Sequence, residues 1–437
     1  MSEISRRHVL TGAALAAGFA AVGGVYLKSA EASPDASAPA GKVVRSGTGL
    51  FLNGQPYRMV GFGIWPGAVS TWCRPPNYDG RDVTKLAGYL ANIRKTAPDV
   101  NTLRIWFFQQ FALNGNRRDW SGFDACLSTA AAAGFKVIAC LEDNWSYERT
   151  QSHEPALSSA WFNGGYKNTV LTRETVPYRQ YVQEIVTRYA GDPRIAEWEL
   201  GNEMNGITQS FVADVSALIK SIDPLTLVGC GEVGSLGSGI YGLPTVDLAS
   251  YHYYTQYNQT NWQAVQSAAQ AAGKPWIMGE FGIPYAGGLS QRASTIQNFL
   301  PKVFAAANSA GLIYWQYAEQ GGDIFNCGSG DPMLRVLDSY VLPAGSTPPP
   351  PPPQLPPPGN LSDADQEHVS WAKVAGADHY RVQLANSSGT VLRDRKTKGT
   401  SWTWTPVNHG TAYKWRVAAV KASGSMGRYT AWQSFSG

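Results

Sequence analysis

Short apolar runs recur along the first three quarters of the chain, at 57–64, 100–107, 135–141, 195–200, 225–230, 246–253, 275–279 and 312–317. Most lack the polar–apolar alternation of a half-solvated strand, so they read as strands buried on both faces of a parallel sheet. Between them lie stretches with helical spacing, such as 124–133, 176–189, 211–222, 262–272 and 293–309. Several are closed by a glycine before the next strand, as at Gly134, Gly273 and Gly311. Eight strand–helix alternations predict a (β/α)8 barrel. A doubly wound open sheet is the alternative, but no G-x-G-x-x-G follows the first strand. Ahead of the barrel, Asn53-Gly54 between apolar runs predicts a hairpin closing its lower end.

The pattern changes after residue 344. Residues 345–359 are proline-rich and predict an extended spacer. Residues 360–437 alternate in short runs around Tyr380, Trp402, Trp404, Tyr413, Trp415 and Val417, which predicts a small all-β sandwich. Trp402 and Trp404 share parity, so they serve either as sandwich core or as an exposed sugar platform, and core is the expected role. Arg393, Arg395, Lys396 and Lys398 read as a solvated loop.

At the other end, Arg6-Arg7 precedes an Ala/Gly/Leu-rich run that ends before Ala30-Glu-Ala32. Residues 1–32 therefore resemble a twin-arginine export signal, with 33–44 as a linker. The rival is an uncleaved anchor, because the apolar run approaches the roughly 20 residues that span a bilayer. Export leads to the periplasm, the cell wall or the medium.

Composition narrows the function classes. With 437 residues there is room for one large core and a smaller one. A net charge of +4 from 36 basic and 32 acidic residues is too balanced to indicate a nucleic-acid partner. Fifteen tryptophans and 21 tyrosines favour carbohydrate only weakly, since the same side chains fill cores. The five cysteines, Cys73, Cys126, Cys140, Cys230 and Cys327, include no close pair, and no zinc site or other metal is expected.

Candidate chemistry sits at the ends of the apolar runs, where such a barrel gathers its functional groups. Arg104 lies in the second run, and Glu142, Asp143, Asn144 and Trp145 follow the third. Asn202 and Glu203 follow the fourth, His252 and Tyr254 the sixth, Glu280 the seventh, and Trp315 lies in the eighth. Charged groups within apolar runs are costly unless paired, so this set marks a pocket. Two strand-end glutamates suggest glycoside hydrolysis.

The runs Trp198-Glu-Leu-Gly-Asn-Glu203 and Gly279-Glu-Phe-Gly282 resemble the strand-four and strand-seven motifs of retaining glycoside hydrolases with (β/α)8 barrels, notably family 5. That resemblance implies Glu203 as acid/base, Glu280 as nucleophile, Asn202 as a partner of the sugar 2-hydroxyl, and Arg104 and Tyr254 as supports of Glu280. His252, Trp315, Asn144 and Trp145 become substrate-binding candidates, and no cofactor is implied. Glu197 and Glu199 receive no role. Trp65, Trp106, Tyr147 and Trp161 either line further subsites or pack internally.

Leu141-Glu-Asp-Asn-Trp145 and the approach 188–199 are similar to endo-mannanases rather than cellulases, which ranks β-mannan ahead of β-glucan as substrate. A transglycosylase and a silent carbohydrate-binding barrel are the rivals. The C-terminal region resembles a fibronectin type III domain, which implies a spacer or a weak contact with cell wall or polysaccharide. The enzyme is expected to be a monomer. Because strands one and eight adjoin in a closed barrel, a Cys73–Cys327 disulfide is expected between the loops that follow them.

Overall fold

The computed structural model describes residues 40–342, apart from 74, 76–79, 151–156, 233, 255–261 and 320–322. It also describes residues 362–436, apart from 364–367, 388–389, 405–410 and 422–428. The expected export signal and the proline-rich spacer lie outside the described residues. Among the described residues no helix is long and apolar enough to cross a membrane. The chain divides into two units, Met1–Pro348 and Pro349–Gly437.

All eight expected barrel strands form: β1 Met59–Gly63, β2 Thr102–Trp106, β3 Lys136–Cys140, β4 Ile195–Glu199, β5 Leu227–Gly229, β6 Ala249–Tyr254, β7 Trp276–Gly282 and β8 Ser309–Tyr314. They make one sheet in the order β5-β4-β3-β2-β1-β8-β7-β6, parallel throughout. Pairing of β8 with β1, from Gly311↔Met59 to Tyr314↔Phe62, turns the sheet back on itself. At the seam between β5 and β6, single bonds replace a ladder: Asp247 N–H donates to Val228 O (2.8 Å), Val228 N–H to the Asp247 carboxylate (2.9 Å), and His252 N–H to Glu232 O (2.9 Å).

Helices pack outside: α1 Val83–Thr96, α2 Ser121–Ala132, α3 Tyr178–Arg188, α4 Gln209–Ile222, α5 Gly237–Tyr241, α6 Trp262–Ala272, α7 Leu289–Phe304 and α8 Met333–Asp338. Each longer helix turns an apolar stripe inward, as α4 does with Phe211, Val212, Val215 and Ile219. The Thr208 hydroxyl caps α4 by accepting from Phe211 N (3.2 Å), and Asp82 caps α1 through Thr84 N (2.9 Å).

The Asn53-Gly54 hairpin is present, with both residues at positive φ (52° and 75°). Val43 and Leu50 of this meander cluster with Ile138, Ala196, Leu227, Leu248 and Ile277, close to the strand starts, so the hairpin plugs the lower mouth. Functional groups are thereby confined to the opposite end.

The second unit holds two antiparallel sheets. One contains Ser362–Asp363, His368–Ser370 and Ser401–Thr403, and the other contains Val391–Thr397, His379–Asn386, Ala412–Val420 and Gln433–Ser436. Val369, Trp371 and Trp404 share a core with Val382, Leu384, Trp415 and Val417, and Trp402 packs against it. The basic run 393–396 lies on a strand rather than in a loop. An edge strand exposed on both faces loses the alternation by which sequence reveals strands.

The expected Cys73–Cys327 disulfide does not form. Both thiols are buried and turned to different carbonyls, Cys73 Sγ to Gln110 O (3.7 Å) and Cys327 Sγ to Gln316 O (3.4 Å). Adjacent strands bring the loops together, but side-chain direction decides whether a bridge can close.

Candidate active site

The upper ends of β2, β4, β6 and β7 bring the candidate residues together. Arg104, fully buried in β2, spreads its guanidinium over three carbonyl or carboxyl groups. Nε donates to Glu199 Oε2 (2.7 Å), Nη1 to Glu280 Oε1 (2.7 Å) and Nη2 to Asn202 Oδ1 (3.0 Å). Burial alone would lower its pKa, but Glu199, Cys140 and Glu280 outweigh that and raise it, so it is a permanent cation.

Glu280 accepts a second bond on its other oxygen, from the Tyr254 hydroxyl (2.5 Å). Local backbone geometry creates this position. Along β6 and β7, Tyr251 pairs with Met278 and His252 with Glu280, so Gly279 is an extra residue in β7. Such an irregularity re-aims the next side chain. Glycine suits this position, because a Cβ at 279 would sit 2.2 Å from Ser250 Oγ and force that hydroxyl to move.

Glu203 lies just past β4 and is held differently. Its backbone takes a left-handed φ of 51°, uncommon for a residue with a side chain, and is fixed by donation from its N–H to Gly231 O (2.9 Å). Gly231 is itself at φ 67°, and a Cβ there would meet Gly201 O at 2.1 Å. The Glu203 carboxyl accepts from the Trp145 indole (2.7 Å) and faces His252 Nδ1 (3.0 Å). His252 Nδ1 is also 3.4 Å from Glu280 Oε2. One carboxyl oxygen each of Glu203 and Glu280 and a ring nitrogen of His252 thus lie within 4.8 Å of one another.

Asn202 is clamped, accepting from Arg104 and donating to Asp143 Oδ1 (3.0 Å). Trp315 is buried at the end of β8 and stacks on Trp106 (centroids 5.9 Å apart), which stacks on Phe108. Asn144 is less directly connected. Its side chain is enclosed without a partner among the described residues, and it meets the site through its backbone N–H to Asn202 O (3.1 Å). Trp65 packs on Trp106, and Trp161 packs among Phe162, Tyr166, Tyr178 and Phe211, so both fill core. The Tyr147 side chain lies outside the described residues.

The site also contains residues to which sequence reasoning gave no role. Glu199 anchors Arg104, and Glu142 is locked by Arg149 Nη2 (2.5 Å) and Asp143 N (2.6 Å) beneath the segment carrying Trp145. Glu197 and Glu199 are both buried in β4 and, two residues apart, share one face of the strand. A buried acid needs a cation, and Arg104, two strands away in β2, supplies it to Glu199.

Glu197 has no hydrogen-bond partner for either oxygen among the described residues. Burial, then the adjacent Glu199, push its pKa well above the usual carboxylate range, against the pull of Arg104. The folded protein therefore retains a proton that the unfolded chain releases near pH 4.5, and stability falls as pH rises above that value towards the folded pKa. Glu197→Gln removes this dependence. The free energy of unfolding of the variant, measured by denaturant titration at a series of pH values, is expected to gain on the parent as pH rises above 4.5, with a slope approaching about 1.4 kcal/mol per pH unit. Parallel curves would rule out a buried neutral Glu197. The constant cost of the unpaired amide cancels, because the comparison is of slopes.

Comparison with known proteins identifies the architecture. The family model described as cellulase (glycosyl hydrolase family 5) matches residues 91–321, more than half of the chain. The chain belongs to glycosyl hydrolase family 5. Among its relatives is a probable mannan endo-1,4-beta-mannosidase F of Emericella nidulans, 28% identical over 55% of this chain and 61% of that protein. Another is mannan endo-1,4-beta-mannosidase A of Aspergillus aculeatus, 26% identical over 51% of this chain and 70% of the relative. The chain thus spans about three fifths of the first and seven tenths of the second. The endo-1,4-beta-mannanase from Rhizomucor miehei superposes with a TM-score of 0.53 over 68% of this chain and 98% of its own, at 18% identity. This likeness is one of fold, and the family match at 91–321 lies within the first unit.

Proposed function

We propose that this family 5 protein is a secreted retaining glycoside hydrolase that cleaves β-1,4-linked mannan by double displacement. The observation that carries the reading is the unequal environment of two facing carboxyls. Glu280 receives Arg104 and Tyr254, donors that favour its ionised form. Glu203 is instead touched by the Trp145 indole and by His252. Retention needs one carboxylate and one carboxylic acid about 5–5.5 Å apart, and the 4.8 Å cluster fits that spacing rather than the wider gap of inverting enzymes.

In the first step Glu280 attacks the anomeric carbon while Glu203 protonates the departing oxygen. Once Glu280 is esterified its charge is gone, and Glu203, now anionic, takes a proton from the water that hydrolyses the ester. Arg104 and Tyr254 orient Glu280 and receive it again as the leaving carboxylate. Asn202, clamped by Arg104 and Asp143, keeps one N–H and one lone pair for a sugar hydroxyl. The Trp315 ring offers a sugar platform, and no cofactor or metal enters the scheme.

Mannan is favoured over β-glucan because both relatives named above are mannosidases and because Trp145 occupies the mannanase-like strand-three position. The seven strands among the described residues of the second unit, three in one sheet and four in the other, support a fibronectin type III-like domain. The arginine pair and apolar run at 6–27 support export through a twin-arginine route, and the enzyme acts as a monomer.

The test is digestion of mannan, glucomannan, cellulose and β-1,3-glucan, with product anomers followed by NMR in the first minutes. Short β-anomeric oligosaccharides from mannan are expected. Initial α-anomers would overturn retention, preferential cleavage of cellulose would reassign the substrate, and longer chains growing from short ones would indicate transglycosylation.

A further inference from the structure

The chain's positive charge is concentrated at one end. Residues 361–437 contain ten Lys and Arg against five Asp and Glu, whereas residues 1–360 contain 26 against 27. The C-terminal unit therefore carries the whole excess. Where that charge lies on the unit is set by strand register. In the four-stranded sheet, Tyr380, Val382 and Leu384 point into the core, so Arg381 and Gln383 point out. Likewise Tyr413, Trp415 and Val417 are buried, and Lys414 and Arg416 point out. Pairing sets Arg381 beside Lys396, Gln383 beside Asp394 and Arg416, and Trp415 beside Gln433.

One outer face thus displays Lys396, Arg381, Arg416 and Lys414 around a single acid, Asp394. Contacts across the strands fix their positions: Arg381 Nε to Asp394 Oδ1 (2.8 Å), Gln383 Nε2 to Asp394 Oδ2 (2.7 Å) and Arg416 Nε to Gln383 Oε1 (2.9 Å). Arg416 lies 4.3 Å from the Tyr429 ring and 4.4 Å from the Trp432 ring, and Lys414 is 5.5 Å from Trp432. Both aromatics remain partly exposed.

Charge on the edge strand alone has a simple explanation, since Lys and Arg there discourage sheet-to-sheet aggregation. That explanation covers Arg393, Arg395 and Lys396. It does not cover Arg381, Lys414 and Arg416, which sit on the two central strands, nor the aromatic pair at the far side.

We propose that this outer sheet face binds an acidic polysaccharide, a chain bearing carboxylates at intervals, and so holds the enzyme at uronate-containing material. The charges are spread over three strands about 4.8 Å apart instead of converging on a point, which suits spaced single charges better than one phosphate. Both guanidiniums are partly engaged by neighbours, so they offer an ordered field more than a free fork. Trp432 and Tyr429 add apolar ring faces of the kind that stack on sugar C–H groups. The residues named all belong to the second unit, which makes the proposal independent of the hydrolytic reading.

The experiment uses the full chain on columns of agarose-linked polygalacturonate and of neutral galactomannan, at low and high salt. Retention on polygalacturonate at low salt and its loss at high salt are expected, because exposed charges are screened. The triple variant K396E/R381Q/K414Q is expected to weaken retention at least tenfold, whereas R393E/R395E, with an equal charge change on the edge strand alone, weakens it less than threefold. Intrinsic tryptophan fluorescence reports whether the sandwich core survives. Should the triple variant unfold, single Lys414→Gln must still reduce retention measurably.

Equal weakening by both multiple variants would overturn the proposal in favour of general charge attraction. Absence of retention by the parent would also overturn it, as would tighter retention on duplex DNA or on anionic vesicles than on polygalacturonate. Turnover of a soluble aryl mannoside is read alongside, so a failure of the hydrolytic assignment shows separately from a failure of binding.

Discussion

Glu280→Ala is expected to lower hydrolysis of an activated aryl β-mannoside by about 10^5-fold, roughly 7 kcal/mol of lost transition-state stabilisation. The size follows from the loss of an entire covalent route. With no carboxylate to attack, Arg104 and Tyr254 still surround the reacting carbon, but they carry no nucleophile. Truncation to alanine leaves a space beside Arg104, and a small anion such as azide fits it. Azide is therefore expected to restore turnover, forming the α-mannosyl azide, inverted relative to the substrate.

The matching Glu203→Ala variant behaves differently. It still forms the glycosyl-enzyme from a substrate whose leaving group needs no protonation, then stalls, because no base activates water. Azide needs no base, so it accelerates that second step and yields the β-azide. Opposite product configurations from the two variants assign the two roles in one experiment. The same configuration from both, or unaltered activity in Glu280→Ala, would refute the assignment.

These two glutamates were legible in the sequence because each follows a continuous apolar run, and a polar break in such a run is expensive unless used. The same property located all eight strands. Errors arose where burial and strand geometry part company. The eighth strand was expected at 312–317 but is Ser309–Tyr314, since Trp315 and Tyr317 stay buried beyond the end of the sheet. The seventh was expected to stop at Gly279, whereas it runs through Glu280 to Gly282. Gly279 reads as a terminator and is in fact the extra residue of an irregular pairing.

Helix α1 gave little signal, because only Leu86, Leu90 and Ile93 are buried along its 14 residues. The Cys73–Cys327 expectation failed for a related reason: strand adjacency is a backbone property, and thiol direction is not. The largest omission was Glu199. Without the register of β2 against β3 and of β3 against β4, nothing in the sequence brings residue 199 to residue 104.

That omission matters most for Arg104, whose replacement has the second large expected effect. Arg104→Met removes the cation from three acceptors at once. Glu199 and Glu280 are then left buried without a guanidinium between them, and breaking a buried pair in this way costs about 3–5 kcal/mol of folding stability. Turnover is expected to fall by about 10^2–10^3-fold, the scale seen when one preorganised donor is lost.

Arg104→Lys separates the two effects. An ammonium keeps the positive charge, so most of the stability returns. It cannot present the planar fork that reaches Glu199, Glu280 and Asn202 together, so the defect in turnover persists. A pH profile distinguishes orientation from charge. With methionine at 104 Glu280 ionises less readily, and the acid limb of kcat/KM is expected to move to higher pH; with lysine it stays close to the parent's. An acid limb unchanged in Arg104→Met would mean that the guanidinium serves structure alone, and that Tyr254 suffices to keep Glu280 charged.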